Sequence, residues 1–308
     1  MDRLTELELF VHTAELGTLS KAAELLDISN ASASRHLAAL EQRLGVRLVE
    51  RNTRRLALTP AGVEFLTRCK SLLSDLKDAE TSMANAVSDP SGTLTVTASI
   101  SFAMLHIAPL VPAFRRKYPK IKVVVVGTNQ YYEIMDTGID LAFRTREFEP
   151  DSNITVRRLA ETRRVLAASP DYLRTHGKPT SVEDLAKHDL LIYSHANKPR
   201  EMVFTKDGEK KVFKVDPALE TNDGQIVRAA ALAGAGILVQ PTYIVYEDLI
   251  AGRLIPVLDD WDLPRLTINI AYQERRFMPV KTRLFIDFIS EAFAHHQYER
   301  YWTRQTAL

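Results

Sequence analysis

The chain has 308 residues, 45% of them hydrophobic and 26% charged, with a net charge of +1. That length accommodates two or three domains with real cores, and near-neutrality excludes a general polyanion binder. The single cysteine, Cys69, excludes an intramolecular disulfide and a cysteine metal cluster. The start has no basic segment before an apolar core, and apolar runs such as Val123–Val126 are too short to span a bilayer, so the expectation is a cytosolic protein without a leader or a membrane segment.

Leu4, Leu7, Phe10, Val11 and Ala14 recur at helical spacing and predict a first helix with one buried stripe, ended by Gly17. Thr18 is placed to cap a second helix whose Ala22, Ala23 and Leu26 face inward; small residues there let two helices cross closely. Ile28 plugs a tight turn. Ser29 caps a third helix, Leu37 and Leu40 bury its back, and Gly45 ends it. This leaves Asn30, Ala31, Ser34 and Arg35 on the exposed N-terminal half. In a helix-turn-helix that half enters the DNA major groove, where Asn pairs with adenine and Arg with guanine. A bland three-helix interaction module is the alternative.

Six arginines (35, 43, 47, 51, 54 and 55) face only Glu41 and Glu50 between positions 35 and 55. Leu48–Arg51 and Arg54–Leu58 predict a short hairpin turning at Asn52-Thr53. Its Arg51, Thr53, Arg54 and Arg55 suit the DNA backbone or minor groove, and Thr18 and Ser29 join them at helix N-termini.

Thr59-Pro60 is a helix start, and nothing breaks the helix until about Ser88, before Asp89-Pro-Ser-Gly92. Phe65, Cys69, Leu72, Leu76, Ala79, Met83 and Ala86 alternate spacings of four and three, the seam of a coiled coil. Self-pairing of this rod predicts a homodimer; packing of the rod on the chain's own domains is the alternative. Cys69 reads as a small core residue and not as a redox switch.

From Gly92 strands and helices alternate. Strands are expected at Thr93–Ala98, Ile121–Val126, Ile139–Arg144, Arg164–Ala168, Leu190–Ser194, Ile237–Gln240 and Leu266–Tyr272. Helices are expected at Phe102–Tyr118, Tyr131–Met135, Pro170–His176, Asp223–Ala233, Tyr243–Ile250 and Val280–His296. A hairpin turns at Asp207-Gly208. The alternation predicts α/β lobes with mainly parallel sheets, and chain crossings near 161–163 and 264–268. Ligands of such sheets sit beyond the strand carboxyl ends, between lobes. The candidates are Ser99, Ser101, Thr128, Asn129, Arg144 and Asn222, with His195 or Phe204 as a wall. Each also has an ordinary structural reading: Ser and Asn cap helices, and Arg144 fits a lobe-bridging ion pair.

The chain resembles the LysR-type transcriptional regulators over its whole length. The signature lies in Phe10-Val11 through Leu16-Gly-Thr-Leu-Ser-Lys-Ala-Ala-Glu24, in Ser34-Arg-His-Leu37, Leu40-Glu41 and Leu44-Gly-Val-Arg-Leu48, and in Glu50-Arg-Asn-Thr-Arg-Arg55 with Leu58-Thr-Pro-Ala-Gly62. Weaker matches are Pro112–Pro119, Gly138–Arg144, Ala168–Leu173, Ala233–Ile237 and Gly252–Pro256. The resemblance implies an α/β class protein: an N-terminal all-α winged helix-turn-helix (1–59), a long linker helix for dimerisation (60–89) and a two-lobed, periplasmic-binding-protein-like effector domain (92–302). Lobe I would span about 92–161 and 268–302, and lobe II about 162–267. It further implies a bacterial, nucleoid-associated, cytoplasmic regulator with double-stranded DNA of dyad symmetry and a small organic acid as partners. A homodimer or homotetramer, an activator or a repressor, and a role for RNA polymerase all fit it. The family often has Gln where Asn30 stands; the shorter amide reaches less far.

An enzyme is the rival reading. There is no nucleophile elbow, Walker loop or HExxH. Gly234-Ala-Gly236 lacks the third glycine of a dinucleotide fingerprint. His295-His296 has no further metal ligands in the sequence pattern. No cofactor and no metal are expected.

Overall fold

The computed structural model describes residues 3–52, 55–84, 90–130, 138–147, 154–273 and 278–305. Contacts divide the chain into two units, residues 1–90 with 132–139, and residues 91–131 with 140–308.

The first unit begins with α1 (Arg3–Leu16), α2 (Leu19–Leu25) and α3 (Asn30–Leu44), followed by the strands β1 (Val49–Asn52) and β2 (Arg55–Leu58) and the helix α4 (Pro60–Ala84). Side-chain caps set the helix starts. Thr18 accepts from the Lys21 amide and Ser29 from the Ser32 amide at 3.2 Å. Such a cap contributes about 1 kcal/mol. Gly45, at φ 69°, is in the left-handed conformation that ends α3. Thr59 accepts from Gly62 N at 3.0 Å and donates to the Arg47 carbonyl at 2.7 Å, which ties the start of α4 to the strand segment. Gly62 is obligatory: a Cβ there would lie 2.1 Å from the Leu48 carbonyl oxygen. The strands β1 and β2 pair antiparallel, Val49 opposite Leu58. Asn52, expected in the turn, instead ends β1 opposite Arg55; Thr53 of the expected turn and Arg54 lie outside the described residues.

The head core joins Phe10, Val11, Leu37, Leu40, Leu48, Val49 and Cys69, with Phe65, Leu66 and Leu73 packed against it. Phe10 and Phe65 rings meet at 5.6 Å. Phe65 and Cys69 therefore belong to the head of their own chain, a correction to their reading as dimer-seam residues. Helical spacing brings them to one face but does not say which partner covers it. Burial pushes the Cys69 thiol up to about 11, which keeps it protonated and inert. Leu72 and Leu76 remain exposed on the same helix. The Ala79 and Met83 side chains, and Ala86, lie outside the described residues.

The second unit runs β3 (Gly92–Ala98), α5 (Ile100–Phe102), α6 (Val111–Lys117), β4 (Ile121–Gly127), β5 (Leu141–Arg146), β6 (Ile154–Thr162), β7 (Arg164–Ala168), α7 (Pro170–His176), β8 (Leu190–Tyr193), β9 (Glu201–Lys206), β10 (Glu209–Lys214), β11 (Pro217–Thr221), α8 (Gly224–Leu232), β12 (Ile237–Pro241), α9 (Thr242–Ile250), β13 (Ile255–Val257), β14 (Leu266–Gln273), α10 (Val280–His296) and α11 (Tyr298–Thr303). Two five-stranded sheets result, ordered β4-β3-β5-β14-β6 and β11-β8-β12-β7-β13, one per lobe. Both sheets are mainly parallel, as expected: four strands of each run one way, and only β14 in the first and β7 in the second run against them. β14 pairs antiparallel with β5 and β6, and β7 antiparallel with β12 and β13. The antiparallel strands are those that carry the chain between lobes or follow such a crossing, and their direction is a matter of topology, not of residue pattern.

The expected single helix from Phe102 to Tyr118 is broken. A wide turn spans Ala103–Ile107 and a tight one Ala108–Leu110 before α6. Pro109 and Pro112 both lack the amide that a regular helix would use. The helix expected at Tyr131–Met135 lies outside the described residues. At the first crossing Arg163 is 2% exposed, with Nη1 2.6 Å from Asp259 Oδ1 and its amide donating to the Trp302 carbonyl at 3.0 Å. The crossing is thus pinned to both lobes' ends.

Candidate nucleic-acid interface and interlobe site

On α3 the buried stripe is Ala33, Leu37 and Leu40. On the opposite side Asn30, Ala31 and Arg35 are exposed and Ser34 half-buried. Thr18 and Ser29 are exposed at the starts of α2 and α3. Their oxygens accept backbone amides, which leaves each O–H able to donate to a phosphate. Arg51 and Arg55 lie on β1 and β2. Two acidic residues that the sequence reading gave no structural role hold this surface in place. Glu41 Oε1 accepts from the Leu48 and Val49 amides at 2.8 and 3.1 Å, fixing the strands against the end of α3. Buried Glu6 pairs with Arg43. The signal for Glu41 is an acid retained within a basic stretch; Glu6, in a helix with more acids than bases, carries none.

In the second unit Asn129, just beyond β4, spans the two lobes. Its Oδ1 accepts from the Ile100 amide at 3.1 Å, at the start of α5. Its Nδ2 donates to the Asn222 carbonyl at 2.9 Å and to Asp223 Oδ2 at 3.1 Å, at the start of α8. His195 Nδ1 lies 2.9 Å from the Asn129 carbonyl. A carbonyl only accepts, so Nδ1 carries the proton there. Asn129, Asn222 and His195 are therefore brought together where the two lobes meet.

Ser101, 2% exposed, sits deeper. Ser99 caps α5 through the Phe102 amide, and Thr128 accepts from the Gln130 amide at 3.1 Å, so both hydroxyl oxygens support local turns. Arg144 follows Phe143, which lies level with Ala98, and so stands at the same sheet edge as Ser99. Phe204 does not line the cleft. It is fully buried in the core of its lobe, with its ring edge-on to Trp261. Alternation along β9 turns Met202 and Phe204 inward to the same core.

A second tie between lobes is aromatic. His106 Nε2 donates to the Tyr243 carbonyl at 3.1 Å, while Phe102, Tyr243, Phe293, Tyr298 and Trp302 surround the ring. Burial lowers its pKa from 6.5 to about 4. Among the described residues no group of three or more His, Cys, Asp or Glu side chains is arranged to hold a metal, and no helix is long and apolar enough to cross a membrane.

The model of the LysR substrate-binding domain matches residues 88–294, and that of the bacterial regulatory helix-turn-helix proteins of the lysR family matches residues 4–63. The chain belongs to the LysR family. This LysR-type chain is a DNA-binding transcriptional regulator with an effector-binding domain, and its relatives are named as regulators. The HTH-type transcriptional regulator CrgA of Neisseria meningitidis serogroup B is 32% identical over 94% of this chain and 97% of its own. PtxR of Pseudomonas aeruginosa is 31% identical over 94% and 95%. The solved CrgA structure from Neisseria meningitidis superposes with a TM-score of 0.61, over 93% of this chain and 97% of its own, at 32% identity. That of the Vibrio cholerae virulence activator AphB has a TM-score of 0.60, over 95% and 99%, at 31% identity.

Proposed function

We propose that this LysR-type regulator acts in the bacterial cytoplasm as a homodimer, or a pair of dimers, on double-stranded DNA of dyad symmetry. The winged head covers about residues 1–59, the dimerising linker helix about 60–89 and the effector domain about 92–302. The supporting observation is the two-sided character of α3: Ala33, Leu37 and Leu40 are buried while Asn30, Ala31 and Arg35 face solvent. Asn30, Ala31, Ser34 and Arg35 read base edges. Thr18, Ser29, Arg51, Thr53, Arg54 and Arg55 hold phosphates or the minor groove. Leu72 and Leu76, exposed on α4, mark the face that pairs with a second copy, and Ala79 and Met83 continue the seam in sequence.

Two reading helices then enter successive major grooves one helical turn apart. A small organic acid binds between the lobes, near Ser99, Ser101, Thr128, Asn129, Arg144, His195 and Asn222. By preferring one lobe arrangement it shifts the population of states and so the spacing of the heads. RNA polymerase is the partner through which an activating form would work. Selection of sheared genomic DNA with the purified wild-type chain and with Arg35→Ala tests this. Dyad-bearing fragments enriched by the wild type and lost in the variant support it; equal enrichment by both removes the assignment of α3 as reader.

A further inference from the structure

The last helix, α11, packs on β6 and α10 of lobe I and on α9 of lobe II. The chain reaches it through Gln297, at φ 52° in the left-handed conformation that side chains other than glycine seldom adopt. The Gln297 amide closes α10 onto the Phe293 and Ala294 carbonyls, and the turn sends the chain back toward the lobes. Trp302, 1% exposed, is buried there. Its ring lies 4.8 Å from His106 and 5.9 Å from Phe293 of lobe I, and 5.8 Å from Tyr243 of lobe II. Tyr301 meets Tyr246 of lobe II at 5.8 Å, while Glu299 accepts both Nη groups of Arg158, on β6 of lobe I, at 3.0 and 2.7 Å. The main chain adds a further tie. The Trp302 carbonyl accepts the Arg163 amide at 3.0 Å, and the Arg163 carbonyl accepts the Thr242 amide at 2.9 Å, where α9 begins. Arg163 stands at the crossing between the lobes, so both backbone groups of a hinge residue are held, one by α11 and one by lobe II.

We propose that α11 is a strap that fixes the resting angle between the lobes, with Trp302 as its wedge and the bond from the Arg163 amide to the Trp302 carbonyl as the pin of the hinge. A change of lobe angle needs new φ and ψ values at the crossing. Turning the peptide before Arg163 takes its N–H away from the Trp302 carbonyl. The same rotation draws Tyr243 and Tyr246 off the rings of Trp302 and Tyr301, which exposes apolar area and opposes the motion. Trp302 and Tyr301 are positioning residues: they act on the lobe angle and touch no ligand in this role. The strap works with the cleft empty or filled, so it stands apart from the reading of where the effector sits.

The test measures the distance between the lobes in the full-length chain. Spin labels go on Glu291→Cys in lobe I and Lys210→Cys in lobe II, both exposed positions; buried Cys69 stays unlabelled. The labelled chain is co-expressed with an excess of the chain lacking those cysteines, so that double electron–electron resonance reads distances within one chain. Three variants are compared with the otherwise unaltered labelled chain: Trp302→Ala, Tyr301→Ala and Phe114→Leu. Phe114 packs on Tyr118, Phe285 and Phe288 inside lobe I, so its variant lowers stability without touching the strap. The expected result is one narrow distance in the unaltered chain, a broadened and shifted distribution in Trp302→Ala, a smaller broadening in Tyr301→Ala, and a lower melting temperature with an unchanged distance in Phe114→Leu. A distribution that is unchanged in both α11 variants overturns the strap. So does a broad distribution in the unaltered chain, or equal broadening in Phe114→Leu, which would make the effect one of general stability. If Trp302→Ala has lost its native circular dichroism, Tyr301→Ala decides, since that ring is 43% exposed and its loss leaves the core filled.

Discussion

Asn129 Nδ2 donates to the Asn222 carbonyl at 2.9 Å, and this bond joins lobe I to lobe II. The same side chain accepts from Ile100, so one residue ties the start of α5 to the start of α8.

Asn129→Asp is therefore expected to be worse than Asn129→Ala. Alanine removes the bonds at a cost of about 1 kcal/mol each. Aspartate cannot donate to Asn222 and places a second carboxylate beside Asp223. Thermal unfolding of the two variants, followed by circular dichroism, checks the order; equal melting temperatures would contradict it.

Stability should fall on acidification through His106. The folded chain keeps this imidazole neutral down to about pH 4, while an ordinary histidine takes up its proton near 6.5. Between those values the unfolded chain binds more protons, so stability is complete above the window and is lost as the pH drops through it. The loss through this one group amounts to roughly 3 kcal/mol at most. His106→Gln keeps a donor for the Tyr243 carbonyl but does not titrate. Urea unfolding between neutral pH and the bottom of the window should show a shallower pH dependence in the variant.

Gly62→Ala should disrupt the head. Its Cβ would sit 2.1 Å from the Leu48 carbonyl oxygen, a backbone atom that cannot turn aside. A cost of about 3 kcal/mol is expected. Differential scanning calorimetry and a DNA-binding assay should show a destabilised head with DNA affinity lost; an unaffected variant would mean that β1 does not sit against the start of α4.

Glu41→Ala should release the start of β1 and weaken DNA binding, and Glu41→Gln should do so less, because one amide oxygen still accepts. Comparing the two in a DNA titration separates the loss of an acceptor from the loss of a charge.

Much of this architecture is readable from residue pattern because its determinants are local. Thr18, Ser29 and Thr59-Pro60 mark helix starts through caps, and Asp207-Gly208, both at positive φ, turn the β9–β10 hairpin. The gathering of Asn129, Asn222 and His195 followed from the rule that strand carboxyl ends line the cleft. What escaped is non-local. The spacing of Phe65 and Cys69 is the same whether a second chain or the head covers them. Phe204 alternates as a strand residue must, and the pattern does not say which face is core.

The central claim is that α3 reads bases. The most direct measurement is the affinity of wild type and Arg35→Ala for a selected operator fragment and for a scrambled duplex of equal length, at several salt concentrations. The variant is expected to lose affinity for the operator by the equivalent of about 1–3 kcal/mol and for the scrambled duplex far less, so that the ratio collapses. A uniform loss on both duplexes, with only the salt slope changed, would make Arg35 a phosphate clamp and contradict the assignment of α3 as the reading helix.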